Sequence, residues 1–575
     1  MNFKNILKQF KYVKNHRVTL FWIFVFSLIL TVSSLFHTML LSVVIDKILV
    51  VKDASALGII ILLIVAIYAL QVLVKYVVGY LGLEVTQIVS VKLRTKVFSS
   101  LLHKKMSALL KENNSEMVST IITDTQLISN FICTKPIQIL NAFLTIGLTI
   151  ALIFALNAKM AIIAITSIVI QLVISFYLSS VAKKNQQEIR TKESQHLNIL
   201  KQLVAGIKYI KAYRTEKYNK NRYFDFLRET YALGERTYNI SYIYSTVTSV
   251  LSFLGSMFIF TVGVIEIMDG NLTIGVLFVY DTLINTLYGG INSISTLFFD
   301  LNKITVSCDR IDKIFQLEQE ESGEELTDER IESIDYKDIC FNYGDKNVLQ
   351  NISLNFVKGE PYAIIGKSGV GKSTLISLLA RFFDPDNGSI KLNNVDIRLL
   401  NLRDVREKLT FVFQEGIIVD GSVKDNIKYG NKRCTEEQLE RVVQICCIDE
   451  MCEKLENGLD TYICQEANNV SGGQKQRIFL ARALLRESDV FVFDEAFSQI
   501  DKQLERRIVK GIIDEYSDKV LIFITHNVAL INDFPQIKKI VLEEGEKAVC
   551  GSHKELMKMS KTSRDLLRRD TVNES

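Results

Sequence analysis

The stretch PYAIIGKSGVGKSTLISLLARFF, residues 361–383, decides the fold of the second half of the chain. It opens with an apolar run of strand type, passes through a glycine-rich loop, and continues as an amphipathic helix. Gly366, Gly371, Lys372 and Ser373 fit the spacing G-x-x-x-x-G-K-[ST]. Glycines at those positions let successive backbone N–H groups converge on phosphate oxygens at a helix start. Lys372 then neutralises the β- and γ-phosphates, and Ser373 offers a hydroxyl to Mg²⁺.

Working outward, three more apolar runs end on polar residues as strands of a nucleotide-binding sheet should. DVFVFDEA (489–496) ends in two acids. Asp494 is placed to hold Mg²⁺, and Glu495, one residue on, to accept a proton from an attacking water. KVLIFITHN (519–527) brings His526 just past a strand, where it can sense a γ-phosphate. TFVFQEG (410–416) does the same for Gln414, within reach of the metal or the lytic water. Taken alone, each of these is also an ordinary strand end; the phosphate loop makes the functional reading the better one. Tyr343, in CFNYGDKNVL (340–349), is a candidate to stack on adenine or, more blandly, a strand aromatic in a core. A second anion-binding segment, Ser471, Gly472, Gly473 and Gln474, stands at the start of the helical stretch QKQRIFLARALL. Two grips on one nucleotide from one domain are redundant. They make sense if this loop closes over ATP held by another copy, so that two domains facing head to tail enclose two ATPs.

The first half is different in kind. The chain has 575 residues, of which 48% are hydrophobic, and a net charge of +4, which gives no case for nucleic acid. Nine scattered cysteines have no zinc spacing and read as reduced thiols. About 20 apolar residues cross a bilayer. Six stretches qualify: 19–44, 57–81, 137–156, 160–181, 243–267 and 272–298. Five Lys/Arg lie in residues 1–18, seven in 82–136 and thirteen in 182–242, against three in the short connectors. The positive-inside rule therefore places both termini and both long loops in the cytosol. Residues 82–112 and 182–235 are poor in Gly and Pro, so the spans are expected to continue as helices beyond the membrane. Asp281 and Lys75 lie within spans and are candidates for a substrate path, with a helix–helix hydrogen bond and snorkelling as the plainer alternatives. Tyrosines 68, 76, 80, 177, 242, 244, 280 and 288 can line a cavity, or serve as interface belts and packing. The acidic run EQEESGEELTDERIE (318–332) reads as a linker. The expected fold class is multidomain: an all-α polytopic membrane domain (1–317) of six transmembrane helices with long cytoplasmic extensions, then an α/β P-loop ATPase domain (333–575).

The order of these motifs resembles that of exporter-type ATP-binding cassette (ABC) half-transporters, over nearly the whole chain. By that resemblance Tyr343 matches the adenine-stacking loop, and Gly366, Lys367, Ser368, Gly369, Gly371, Lys372, Ser373 and Thr374 fall in Walker A. Gln414 matches the Q-loop, Ser471 to Gln474 the signature motif, Asp494 and Glu495 Walker B, Asp501 of SQID (498–501) the D-loop, and His526 the switch histidine. Loop tips near 106–111 and 211–218 match coupling helices. The resemblance implies ATP and Mg²⁺ as cofactors and a second half-transporter, identical or paralogous, as partner. It implies a multi-pass protein in a bacterial cell membrane, contacting lipid, that exports a peptide, drug-like or lipid substrate. Import of a metal chelate and a nucleotide-gated channel or sensor are the alternatives. No fused leader-peptidase domain is expected ahead of the first span. Departures are Val470 where the signature has Leu, CQEANN (464–469) where exporters often have a GERG-like stretch, and the altered middle of SQID.

Overall fold

The computed structural model describes residues 8–50, 57–162, 199–325, 329–344, 346–464, 470–542 and 549–551, with isolated residues between 163 and 198. Its chain divides into two compact units, Met1–His103 with Glu112–Leu317, and Lys104–Lys111 with Glu318–Ser575.

The first unit is helical. Its long helices are α1 (Arg17–Val43), α2 (Leu57–Leu102), α3 (Thr125–Leu156), α4 (Glu216–Met268) and α5 (Ile274–Gln316). Five helical segments among the described residues are long and apolar enough to cross a membrane: Lys14–Lys47, Leu57–Leu102, Asn114–Leu156, Ser245–Met268 and Ile274–Ile291. Most of the expected span 160–181 lies outside the described residues, as does CQEANN beyond Cys464. Helices α2, α4 and α5 run well past the apolar stretches, as their Gly- and Pro-poor flanks require. Helix α3 starts before the expected span and carries Pro136 inside it.

Helix α5 packs along α3 and also touches α1 and α4. Two apolar clusters hold these helices. One joins Val85, Val89, Leu93, Ile128, Ile132, Cys308 and Ile311; the other joins Ile153, Met160, Ile259, Tyr280, Leu283 and Leu287. Tyr280 and Tyr288 are buried packing residues, and the Tyr280 hydroxyl donates to the Ile153 carbonyl at 2.8 Å. Tyr68, Tyr76, Tyr80 and Tyr242 are exposed, while Tyr177 is outside the described residues. Asp46 ties the end of the first span to the start of α5. It accepts from the Thr273 hydroxyl at 2.6 Å and from the Gly275 N–H at 2.7 Å. A Cβ on Gly275 would lie 2.5 Å from the Ser42 carbonyl oxygen, so this approach needs glycine.

The second unit is α/β. Strands β1 (Ser333–Tyr343), β2 (Lys346–Val357), β4 (Asn387–Leu392) and β5 (Val395–Asp396) form an antiparallel sheet in the order β2-β1-β4-β5. The second sheet contains β3 (Pro361–Gly366), β6 (Leu409–Val412), β7 (Val490–Asp494), β8 (Val520–Ile524), β9 (Lys538–Leu542) and β10 (Val549–Gly551), in the order β10-β9-β3-β8-β7-β6. It is parallel except at β10. Strands β7 and β8 are buried throughout, which explains why they read as unbroken apolar runs rather than alternating ones.

The acidic segment is not left free in solvent. Glu320 makes a two-pronged ion pair with Arg406 at 2.8 and 2.9 Å, and Gly323 and Glu325 donate backbone bonds to Leu400 and Leu399. The short helix Met106–Leu109 belongs to this unit: Lys104 bridges Gln319, and Lys105 pairs with Glu321 at 3.2 Å.

Candidate nucleotide site

The site is assembled at the carboxyl ends of β3, β6, β7 and β8, where a parallel sheet presents its loops. After β3 the chain turns through Gly369 (φ +84°) and Gly371 (φ +103°) into α6 (Lys372–Leu379). A Cβ on Gly371 would sit 2.6 Å from a Leu349 methyl carbon, so left-handed backbone and close packing both demand glycine there. Lys372 is buried, and its Nζ folds back onto the carbonyls of Gly366 (2.7 Å) and Lys367 (2.9 Å). Burial lowers its pKa, and the nearby Glu495 and Asp494 carboxylates oppose that. Lys367, Ser368 and Gly369 are exposed on the loop, Ser373 is exposed at the helix start, and Thr374 is buried behind it.

Asp494 ends β7, buried, with its pKa raised by desolvation and pulled back by a hydrogen bond with Ser373. Glu495 follows in a left-handed backbone conformation (φ +50°), uncommon outside glycine and frequent at functional turns. Both its carboxylate oxygens are engaged. Gln414 Nε2 donates to Oε2 at 2.8 Å, and His526 Nε2 lies 2.7 Å from Oε1. Thus Gln414, Asp494, Glu495, His526, Lys372 and Ser373, scattered over more than 150 residues of sequence, converge on one place. Ser373 hydroxyl, Asp494 carboxylate and Gln414 amide oxygen are the hard oxygen ligands that Mg²⁺ prefers, and the Asp494 carboxylate is buried at the strand end beside Ser373. The residues fit the ion.

Tyr343 is exposed, and its ring stands perpendicular to those of Phe341 (4.9 Å) and Phe383 (5.2 Å) in an aromatic cluster. At the segment expected to be a second anion grip, Ser471 caps α7 (Gly472–Leu484). Its hydroxyl accepts from the Gln474 N–H (3.3 Å), and the Gln474 side chain accepts from the Ser471 N–H (2.7 Å). This capping box leaves the N–H groups of Gly472 and Gly473 as the donors that the first helical turn cannot satisfy. Asp501 is turned to its own helix, α8 (Lys502–Glu515), accepting from the Gln503 N–H at 2.9 Å. In the first unit, Asp281 is half-buried and bonded to Asn285 (3.4 Å), Lys75 is exposed, and no ion pair joins them.

Sequence reasoning missed Gln476, Glu505 and Asn527. Asn527 Nδ2 donates at 3.1 Å to Glu505, a buried carboxyl pushed up to about 7 by desolvation. Gln476 is buried on α7 and bonded to the turn after β7. Neither Glu505 nor Gln476 stands at a strand end, in a glycine-rich loop or within an apolar span, the signals that mark the other polar candidates.

Comparison with known proteins gives the family and the fold. Residues 20–291 match the family model of the ABC transporter transmembrane region, and residues 349–498 that of the ABC transporter. The chain belongs to the ABC transporters, with transmembrane region and ATP-binding cassette fused in one polypeptide. It is 28% identical over 517 residues to an ATP-dependent lipid A-core flippase of Desulfotalea psychrophila, covering 89% of this chain and 90% of the relative. It is 27% identical over 547 residues to the transport/processing ATP-binding protein ComA of Streptococcus pneumoniae, covering 92% of this chain and 74% of the relative. Among solved structures, a bacterial Atm1-family ABC exporter with ATP bound has the same fold, with a TM-score of 0.83 at 20% identity, covering 97% of this chain and 98% of that one. The cassette makes this membrane protein an ATPase.

Proposed function

We propose that this chain is one half of an ATP-driven exporter that carries a peptide, drug-like or lipid molecule out of the cytosol, paired with a copy of itself or a paralogue. Residues 1–317 are its membrane domain, 318–332 the acidic connection and 333–575 the cassette, with termini and cassette on the cytosolic side of a bacterial cell membrane. Likeness to a lipid flippase and to a transport/processing protein supports a lipid or peptide cargo.

The observation that carries the reading is the Glu495 carboxylate held between Gln414 and His526, beside Asp494 and Ser373. ATP enters with its adenine on Tyr343 and its phosphates in the loop 366–374. Lys372 exchanges the Gly366 and Lys367 carbonyls for the β- and γ-phosphates. Ser373, Asp494 and Gln414 would hold Mg²⁺, which supplies charge neutralisation at the phosphates. The Gly472 and Gly473 N–H groups of the partner close the other side, with Ser471, Gln474 and Asp501 shaping that contact. Glu495 takes the proton of the attacking water, and His526 holds Glu495 in place and meets the γ-phosphate. ATP favours the closed pair because it contacts both cassettes only there, and hydrolysis releases it. The loop tips 106–111 and 211–218 pass closure to the spans, and Asp281 and Lys75 lie on the cargo path.

The test is uptake into inside-out vesicles containing the purified protein, with lipid, peptide and drug panels. ATP-dependent accumulation inside the vesicle supports export. Loss of cargo from the lumen, or passive flux gated by non-hydrolysable nucleotide, overturns it in favour of import or a channel.

A further inference from the structure

The SQID turn differs from its family counterpart only in its middle, and the structure gives that segment an unassigned partner. Gln476 lies just over one turn into α7, with 6% of its surface exposed. Its amide is used at both ends. Nε2 donates to the Ser498 hydroxyl at 3.0 Å, and Oε1 accepts from the Gln499 N–H at 2.8 Å. The Ser498 N–H in turn donates to the Glu495 carbonyl at 3.2 Å, at the residue whose backbone sits at φ +50°. The signature glycines press on the same turn. A Cβ on Gly472 would lie 1.9 Å from Gln499 Oε1, and a Cβ on Gly473 would lie 2.6 Å from the Gln499 carbonyl oxygen. Gly473 is therefore needed for packing against the backbone of residue 499, whereas at Gly472 the Gln499 side chain rests against the helix start and can swing aside.

We propose that Gln476 is a positioning residue that carries the state of the Ser471–Gly473 loop to Glu495 of the same cassette. It rests on the reading above that this loop grips the partner's ATP while Glu495 acts on the chain's own. The signature loop and Gln476 share one helix, so a shift of the loop moves the amide with it. Two hydrogen bonds hold Ser498 and Gln499 to that amide, and direct packing of the Gln499 backbone on Gly473 keeps the turn from lagging behind. A carboxylate in a strained backbone conformation, hinged on Ser498, then takes its working position when the neighbouring nucleotide is gripped. Two ATPs are thereby linked through each cassette.

The experiment measures steady-state ATPase against ATP concentration in full-length protein, with ATP-driven pairing of cassettes read separately in the Glu495→Gln background. Wild type is expected to give a Hill coefficient near about 2 for two linked sites. Gln476→Ala should still pair on ATP, and its Hill coefficient should fall to about 1, with slower turnover at saturating ATP. Ser498→Ala, which cuts one of the two bonds and leaves α7 intact, should lower the coefficient in the same direction, and Ser498→Thr, which keeps the hydroxyl, should restore it. A merely structural role would lower the melting temperature and the active fraction at unchanged cooperativity, and that result overturns the proposal. If Gln476→Ala does not fold, unchanged cooperativity in Ser498→Ala is decisive against it. Absence of ATP-driven pairing in the Gln476-intact protein instead overturns the shared-nucleotide reading itself, and this inference with it.

Discussion

Replacing Glu495 by glutamine isolates the proton-accepting role proposed for it, because the local structure should barely notice the change. Glutamine has the same shape, and it meets the same backbone requirement at φ +50°. The amide oxygen keeps one of the two contacts that the carboxylate makes to Gln414 (2.8 Å) and His526 (2.7 Å). Its NH₂ donates to the other once the Gln414 amide flips or the His526 ring nitrogen is unprotonated. The stability change is therefore no more than about one hydrogen bond, ~1 kcal/mol. What disappears is the base. General-base action contributes about 10²- to 10⁴-fold, or roughly 2.7 to 5.4 kcal/mol of barrier. Phosphate release by purified Glu495→Gln should fall by at least about a hundredfold, while the melting temperature stays near wild type and ATP-driven pairing persists. Turnover within a few-fold of wild type would refute the assignment of Glu495 as base. Lost pairing would refute the claim that its geometry is preserved.

Other perturbations probe separate parts. Lys372→Ala removes the ammonium folded onto the Gly366 and Lys367 carbonyls and should weaken ATP binding by at least about tenfold, read by calorimetric titration; unchanged affinity contradicts the phosphate-loop assignment. Glu505 has its carboxyl raised to about 7 from 4.5 by burial, so the charged form opposes folding increasingly between those pH values and fully above them. Glu505→Gln keeps an oxygen for Asn527 and should stabilise the cassette by about 3 kcal/mol at pH 8 and by nothing at pH 4, in thermal melts. Asp46→Ala removes the acceptor shared by Thr273 and Gly275 and should cost about 2 kcal/mol, seen as a lower melting temperature in detergent.

The parts of this account legible in the sequence were those written in short contiguous patterns. Gly366, Gly371, Lys372 and Ser373 lie within eight residues, and a loop that must wrap phosphates tolerates few alternatives there. Buried strands β7 and β8 showed as unbroken apolar runs, so the residues at their ends could be picked out. The extensions of α2 and α4 were legible from the scarcity of Gly and Pro. What stayed hidden depends on pairing across the chain. Gln414 and Glu495 are 81 positions apart, and nothing in either segment announces the other. The acidic run read as a linker because charge without apolar residues normally means that, and its sequence does not show what it rests on. Arg406, far along the chain, supplies the counter-charge that lays Glu320 on the cassette. Gln476 was invisible because a buried amide on an amphipathic helix looks like any polar residue until its two partners are in place. The apolar stretch 137–156 marked only the membrane-crossing part of α3, which starts at Thr125 and keeps helical geometry through Pro136.

The central claim is that two chains share each nucleotide. Its most direct measurement is cross-linking between differently tagged chains in a cysteine-free Glu495→Gln background, with Ser368→Cys on one chain, Ser471→Cys on the other, and a short bifunctional thiol reagent. The account predicts a cross-linked heteropair that forms with ATP and is absent without it. Failure of ATP to join position 368 of one chain to position 471 of the other, under conditions where nucleotide is demonstrably bound, would contradict it.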